Sequence, residues 1–384
     1  MRVAINAWFW DSPTTGSGQY TRRLVEHLAA VAPDLEIVLI APEGEIPNPK
    51  CQTPNPKLAT NNQYPATGNQ QSGNLSKVIF EQIGFSRGCV RLGADVAHVP
   101  YWAPPLCPSV PTVVTIHDLI PLLVREYRGG PLVRLYTALV STTAQSAALV
   151  LTDSEASRRD IVTHLGLPPD HVRVIYLAAD EHYTPTPFPD DAPVRARYGL
   201  PDRYVLYLGG FDVRKNVATV LRAYRWAGPV IGEECPLVVA GRLPERDTPF
   251  APDPRRLARE QGVERFVRFV GFVDEDDKPA LYRGAVAFIF PSRYEGFGLP
   301  VLEALACGTP VVGSDAASIP EVVGNAGVLL DPDDAEGMAG ALIQLATDEE
   351  FRAELSRRAR AQAARFSWER TARETLAAYQ NVAG

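Results

Sequence analysis

Twelve short Val/Ile-rich runs punctuate the chain: RVAINA, EIVLIAP, DVAHVP, TVVTIHD, ALVLTDS and HVRVIYL in the first half, then YVLYLGG, PLVVAG, FVRFVGF, VAFIFPS, PVVGS and GVLLDP in the second. Most are apolar throughout rather than at alternate positions, as in strands covered on both faces. Between many of them lie stretches with helical spacing, such as Tyr20, Leu24, Leu28 and Val31 in QYTRRLVEHLAAV. Strand alternating with helix predicts an α/β protein with parallel sheets, and there are strands enough for two. A chain of 384 residues, 46% hydrophobic, can bury both cores.

The seam falls in EHYTPTPFPDDAPVRARYGLPDR, Glu181 to Arg203, where prolines and acids interrupt the apolar pattern. We place a first domain at 1–183 and a second at 184–366. Glu43 to Ser76 is rich in Pro, Asn, Gln and Thr and reads as a mobile insertion (43–76): a tolerated surface loop, a lid or an acceptor-recognition loop. A last helix over 367–384 has Ser367 as N-cap and Trp368, Ala372, Leu376 and Tyr379 on one face, so it must dock on another element.

Composition excludes several classes. There is no apolar run of about 18 residues, and MRVAINAWFWDSP lacks the layout of a signal peptide, so a cytoplasmic protein is expected. Cys51, Cys89, Cys107, Cys235 and Cys307 are scattered and never in a C-x-x-C pair; they read as packing residues, not as a disulfide framework or a zinc site. A net charge of −7 opposes nucleic-acid binding but permits a local basic pocket.

The chemistry concentrates in SRYEGFGLPVLEALACGTPVV, Ser292 to Val312. The chain leaves a strand, passes Gly296 and Gly298, and enters a short helix with Pro300 at its first position and Gly308 at its end. Backbone N–H groups from Gly296 to Val301 would converge there, at the carboxyl end of a strand, as an anion site. Glu295 and Glu303 beside a phosphate would repel it unless each met a neutral, hydroxyl-rich part of the same ligand, as a nucleotide sugar provides. Spacing alone leaves open that the acids serve only the helix dipole.

The whole stretch resembles the signature of family 4 retaining glycosyltransferases, whose E-x7-E is matched by Glu295 and Glu303. The likeness extends to NAWFWDSPTTGSGQYTRRL, TIHDLIPL, LTDSEASRRDI and YLGGFDVRKN. It implies the GT-B fold, two Rossmann-like domains with parallel sheets facing across a cleft, the last helix packing back on the first domain. It also implies a nucleotide-sugar donor, a glycan or polyprenyl-linked acceptor and no metal or other cofactor.

Residue by residue, the resemblance assigns Arg214 and Lys215 to the donor diphosphate. Gly210 stands where many members carry an arginine, for which Arg214 is the candidate substitute. Gly16 and Gly18 match the first-domain glycine loop, and His117 with Asp118 would lie beside the transferred sugar. Glu295 with Gly296, Phe297, Gly298 and Leu299 would cradle that sugar, Glu303 would take ribose hydroxyls, and Val273, with Tyr294 or Arg242, would border the base. Retention is expected through front-face attack in which the departing diphosphate accepts the acceptor proton. The motifs are most like mannose-transferring members, making GDP-mannose the first donor. A UDP-hexose or deoxyhexose donor, a non-catalytic GT-B protein and a sugar-nucleotide epimerase are the alternatives. Trp8, Phe9 and Trp10 with Arg22 and Arg23 are a candidate patch for peripheral membrane contact, against a reading as core or acceptor-site wall.

Overall fold

The computed structural model describes residues 1–12, 15–42, 44–46 and 73–384. Each of the twelve runs forms a strand. In the first half these are β1 (Arg2–Asn6), β2 (Glu36–Ala41), β4 (Val96–Val99), β5 (Thr112–Thr115), β6 (Leu149–Thr152) and β7 (Val172–Val174). In the second they are β8 (Val205–Leu208), β9 (Leu237–Ala240), β10 (Val267–Gly271), β11 (Ala287–Phe290), β12 (Val311–Ser314) and β13 (Gly327–Leu330). The chain divides into two compact units, Met1–Tyr176 with Trp368–Gly384, and Leu177–Ser367. Tyr183 thus lies in the second unit, although the sequence reading ends the first domain there. The Pro- and Asp-rich seam is not a free linker: Arg283 binds Asp191 and donates to the Thr184 carbonyl, tying it to the second unit.

With a further short strand β3 (Gly44–Ile46), the first sheet has strand order β3-β2-β1-β4-β5-β6-β7. All pairs are parallel except β2 with β3, an antiparallel edge strand that composition had assigned to an unstructured insertion. The far end of that stretch enters a helix, Gly73–Ile79, which continues through a π turn, Phe80–Gly84, into helix Phe85–Arg91. Residues 47–72, the body of the expected insertion, lie outside the described residues, as does Cys51. Of the other cysteines, Cys89, Cys235 and Cys307 are buried, whereas Cys107 is exposed and does not pack.

The second sheet has order β10-β9-β8-β11-β12-β13, with every pair parallel. Its core layers Tyr207, Val239 and Ile289 against Leu221, Tyr224 and Leu342 from the covering helices. In both sheets the chain runs outward from one strand, β1 or β8, then returns to its other side with β4 or β11. Each sheet therefore has a topological switch point, between β1 and β4 and between β8 and β11, and the crevice outside the carboxyl ends of those strands is where such sheets bind ligands. No helix among the described residues is long and apolar enough to cross a membrane.

Helix Gly16–Val31 buries Tyr20, Leu24 and Leu28 as the spacing predicts, and Thr15 caps it by accepting from the Gly18 N–H at 3.2 Å. The last helix, Trp368–Ala383, belongs to the first unit. It buries Trp368, Thr371, Ala372, Thr375 and Tyr379, while Leu376 is only half-buried. Its deepest anchor is polar: the Tyr379 hydroxyl meets His98 Nδ1 at 2.6 Å, and His98 Nε2 meets Thr115 Oγ1 at 2.8 Å. Burial, reinforced by the charge of His117, pushes the His98 pKa down to about 3, so the ring is neutral and each nitrogen needs its partner. Tyr379→Phe leaves Nδ1 buried and unpaired, and we expect a loss of about 1–3 kcal/mol in a denaturant titration; an unchanged midpoint would show that the bond does not anchor the helix.

Candidate functional site

The switch point of the second unit holds the two motifs that the sequence singled out. After β8 the chain passes Gly209 and Gly210 into Asp212–Asn216, and after β11 it passes Ser292 into Glu295. Glu295 is 8% exposed. Lys215 Nζ, an Arg214 guanidinium nitrogen and the Ser292 hydroxyl all converge on its Oε1, at 2.7, 2.7 and 2.5 Å. Burial alone would raise the Glu295 pKa, but Lys215 and Arg214 outweigh it and hold the carboxyl below its ordinary range. Arg214 also reaches Asp212 Oδ1 at 3.7 Å and donates to the Tyr294 carbonyl at 2.8 Å. The Lys215 ammonium lies 4.9 Å from the centroid of the Phe290 ring. Two cations face two acids, so the cluster is formally neutral.

The loop that carries Glu295 is shaped by Gly298, at φ +102°, a conformation that only glycine adopts at little cost; a Cβ there would also meet Ile319 Cδ1 at 2.8 Å. Helix Leu299–Ala306 follows, with Leu299 rather than Pro300 at its first position. The N–H cluster expected from Gly296 to Val301 is smaller than the sequence implied. Pro300 has no N–H, and that of Val301 is taken by the Gly298 carbonyl at 3.0 Å. Phe297 is buried and packs edge-on against Phe366, so its ring is structural. Ser318 holds the loop from beneath, its hydroxyl reaching the carbonyls of Glu295 (2.9 Å) and Phe297 (2.8 Å). Spacing gave no sign of that role. Asn216 sets the other loop: it is buried, left-handed at φ +56°, and donates to the Pro332 carbonyl at 2.6 Å. An Asn directly before a helix is the one available sequence signal.

Glu303 lies on helix Leu299–Ala306 and accepts from the Tyr282 hydroxyl at 3.0 Å. Around it are Glu275, which binds Lys278 at 2.6 Å and accepts from Tyr183 at 2.9 Å. Burial holds the Glu303 carboxyl above its usual range against the pull of Lys278, with a smaller push from Glu275. Val273 is buried and cannot present its side chain to a base; the neighbouring Phe272 is 55% exposed, with the Arg242 guanidinium 5.2 Å above its ring. Gly210, whose carbonyl accepts from Tyr207, and Tyr294, half-buried, flank the cluster.

The remaining predicted residues lie in the first unit. His117 follows β5, its Nδ1 2.7 Å from Asp153 Oδ2 and its Nε2 3.3 Å from the Pro100 carbonyl. Both ring nitrogens thus face acceptors, which suits the imidazolium. Burial opposes that charge, but Asp153, then Asp118 and the Pro100 carbonyl, outweigh it and raise the pKa above its ordinary 6.5. Asp153 was not predicted; it stands in LTDSE directly after β6. Tyr20 packs edge-on against the His117 ring at 4.9 Å. Asp118 accepts from the Ile120 N–H at 2.9 Å, shaping the loop. Gly18 is bare because the Ser12 carbonyl oxygen lies 2.1 Å from where its Cβ would be, so the chain's own loop uses that space. A Cβ on Gly16 would meet nothing within 4 Å. Among the described residues no group of three or more His, Cys, Asp or Glu is placed to hold a metal ion.

Comparison with known proteins agrees with this architecture. Residues 14–183 match the model described as Glycosyltransferase Family 4, and residues 194–362 match that of Glycosyl transferases group 1. The chain is 36% identical to the O-antigen chain mannosyltransferase B of Escherichia coli, over 70% of each chain. It is 34% identical to the serotype-specific mannosyltransferase WbdA of Escherichia coli, over 68% of this chain but 32% of that longer protein. Among solved structures, sucrose-phosphate synthase from Thermosynechococcus elongatus superposes with a TM-score of 0.71 at 22% identity, covering 100% of this chain and 99% of that one. The chain belongs to the group 1, family 4 glycosyltransferases, and is a retaining hexosyltransferase on the GT-B fold.

Proposed function

We propose that the chain transfers mannose from GDP-mannose to a hydroxyl of a glycan or lipid-linked saccharide. The observation that carries this is the Arg214–Lys215–Glu295 cluster at the switch point of the second sheet. Glu295 neutralises the two cations while no diphosphate is bound; an arriving diphosphate takes them over, and the carboxylate is released to face sugar hydroxyls. The cations then stabilise the negative charge that grows on the leaving group. The bond from C1 to the phosphate oxygen breaks with its electron pair leaving on the diphosphate. The acceptor oxygen bonds to C1 from the same face, and its proton passes to the departing phosphate oxygen. Glu303, which accepts from the buried Tyr282 hydroxyl, is assigned to the ribose. The mannose assignment rests on the names of the two Escherichia coli relatives, and UDP-hexose and deoxyhexose donors remain the competing reading. His117, paired with Asp153, is assigned to the sugar-facing wall of the first unit.

Two measurements test these roles. Glu295→Gln should lower turnover by about 10²–10³-fold, since it removes a charge aimed at the reacting sugar, while nucleotide binding is spared. The assay is released nucleotide and thermal shift against GDP-mannose, UDP-glucose, UDP-N-acetylglucosamine and dTDP-rhamnose; full activity of the variant would remove the assigned role. The second concerns pH. Because the folded pKa of His117 is raised, its pairing with Asp153 contributes stability in full below 6.5 and loses it as pH rises through the folded value. Asp153→Asn should therefore lower Tm in mildly acidic buffer and converge on the wild type in alkaline buffer; a constant gap across that range would show that the pair is not an ion pair.

A further inference from the structure

Helix Pro131–Thr143 of the first unit has its amphipathicity turned inside out. The side chains it buries are Thr137, Val140 and Thr143, whereas Leu132 is 79% and Leu135 68% exposed, with Val133 exposed beside them. The buried hydroxyls are satisfied within the helix itself: Thr137 donates to the Val133 carbonyl at 2.9 Å and Thr143 to that of Val140 at 3.1 Å. A helix with water on its outer side turns leucines inward and hydroxyls outward, and this one does the reverse. Its first turn also stands clear of the fold, every residue from Arg128 to Leu135 being exposed.

Two neighbouring segments carry apolar side chains into water as well. Tyr136 of this helix donates from its hydroxyl to the Glu81 carboxylate at 3.1 Å, which sets the helix beside Gly73–Ile79 and the π turn Phe80–Gly84. There Ile79 and Ile83, about one turn apart, are exposed. Gln82 ties in the loop after β4: it accepts from the Leu106 N–H at 2.8 Å and donates to the Pro104 carbonyl at 3.3 Å, and Leu106 is exposed. Single exposed apolar side chains are ordinary, but six on three touching segments mark a contact surface. The charge of these segments is one-sided. Residues 73–91, 101–110 and 120–146 carry Lys77, Arg87, Arg91, Arg125, Arg128 and Arg134 against only two acids, Glu81 and Glu126, in a chain whose net charge is −7. Glu81 is buried, so its charge is withheld from the surface.

We propose that this face docks on an anionic lipid surface, with Leu132, Leu135 and Ile79 entering the boundary between headgroups and acyl chains and the arginines meeting lipid phosphates. Charge chooses among the occupants. A second copy of the chain, paired through the same face, would set these arginines against one another, whereas an anionic bilayer offers apolar depth and negative charge on one surface. The helix has 13 residues, too few to span a bilayer, so it lies in the plane of the interface. The inference goes beyond the transfer reaction and is independent of which sugar is moved. The trio Trp8, Phe9 and Trp10, which the sequence offered for membrane contact, is instead half-buried: Trp8 and Phe9 pack against the core of the first unit, Phe9 edge-on to Tyr101 at 5.0 Å, and Arg22 donates to the Trp10 carbonyl at 2.7 Å.

The test is co-sedimentation of the full chain with vesicles of phosphatidylcholine alone and of an equimolar mixture of phosphatidylcholine and phosphatidylglycerol. Two double variants accompany the wild type: Leu132→Gln with Leu135→Gln, which keeps helix-forming residues but removes apolar surface, and Arg125→Gln with Arg134→Gln, which removes charge. All four positions are exposed, so Tm is unchanged or raised. We expect the wild type to sediment with the phosphatidylglycerol vesicles far more than with phosphatidylcholine, added salt to weaken that binding, and each variant to weaken it about tenfold or more. No sedimentation of the wild type, equal binding to both kinds of vesicle, or undiminished binding of the leucine variant would each overturn the proposal. A wild-type dimer in analytical ultracentrifugation that the leucine variant abolishes would overturn it too, by giving the face to a second copy of the chain.

Discussion

A buried carboxylate held on one oxygen by a lysine, an arginine and a serine is the interaction around which the second unit is organised. Placing Glu295 in a nearly solvent-free position would raise its pKa and expel its charge, were Lys215 and Arg214 not within 2.7 Å. The cations are equally dependent on the acid. Their loop must therefore come to the loop after β11, which requires β8 and β11 to be neighbours and parallel, as they are. Gly298, Ser318 and Asn216 are the supports that this meeting demands: a left-handed glycine to turn the chain, a hydroxyl to hold two carbonyls, and an asparagine to start the next helix.

Charge balance gives the cluster a direction. With two bases against Asp212 and Glu295, the site is neutral and stable as it stands, and in the proposed reaction a diphosphate competes with Glu295 for the same nitrogens. The acid is then exposed at the moment the sugar is in place, so one exchange of partners both binds the donor and prepares the charge that faces C1.

Much of this was legible in the residues. The twelve apolar runs all became strands because a strand covered on both faces is apolar at nearly every position. Glu295, Glu303, Arg214, Lys215 and His117 were named from motifs of the resemblance, and of these the structure brings Arg214, Lys215 and Glu295 into one cluster. The misses have a common cause. β3 was hidden in a Pro/Asn-rich stretch, since an edge strand needs only backbone pairing. Asp153 and Ser318 act through partners far off in sequence, such as His117 and Asp153 at a separation of 36 positions, and no local pattern records those meetings.

The central claim is that Arg214 and Lys215 are a diphosphate site for which Glu295 holds the place. Calorimetric titration of GDP and GMP into the wild type and into Lys215→Met tests it most directly. The account predicts that GDP binds about tenfold or more tightly than GMP, that added salt weakens GDP more, and that the difference largely disappears in Lys215→Met. Equal affinity of the two nucleotides for the wild type, or a difference that survives the loss of Lys215, would contradict it.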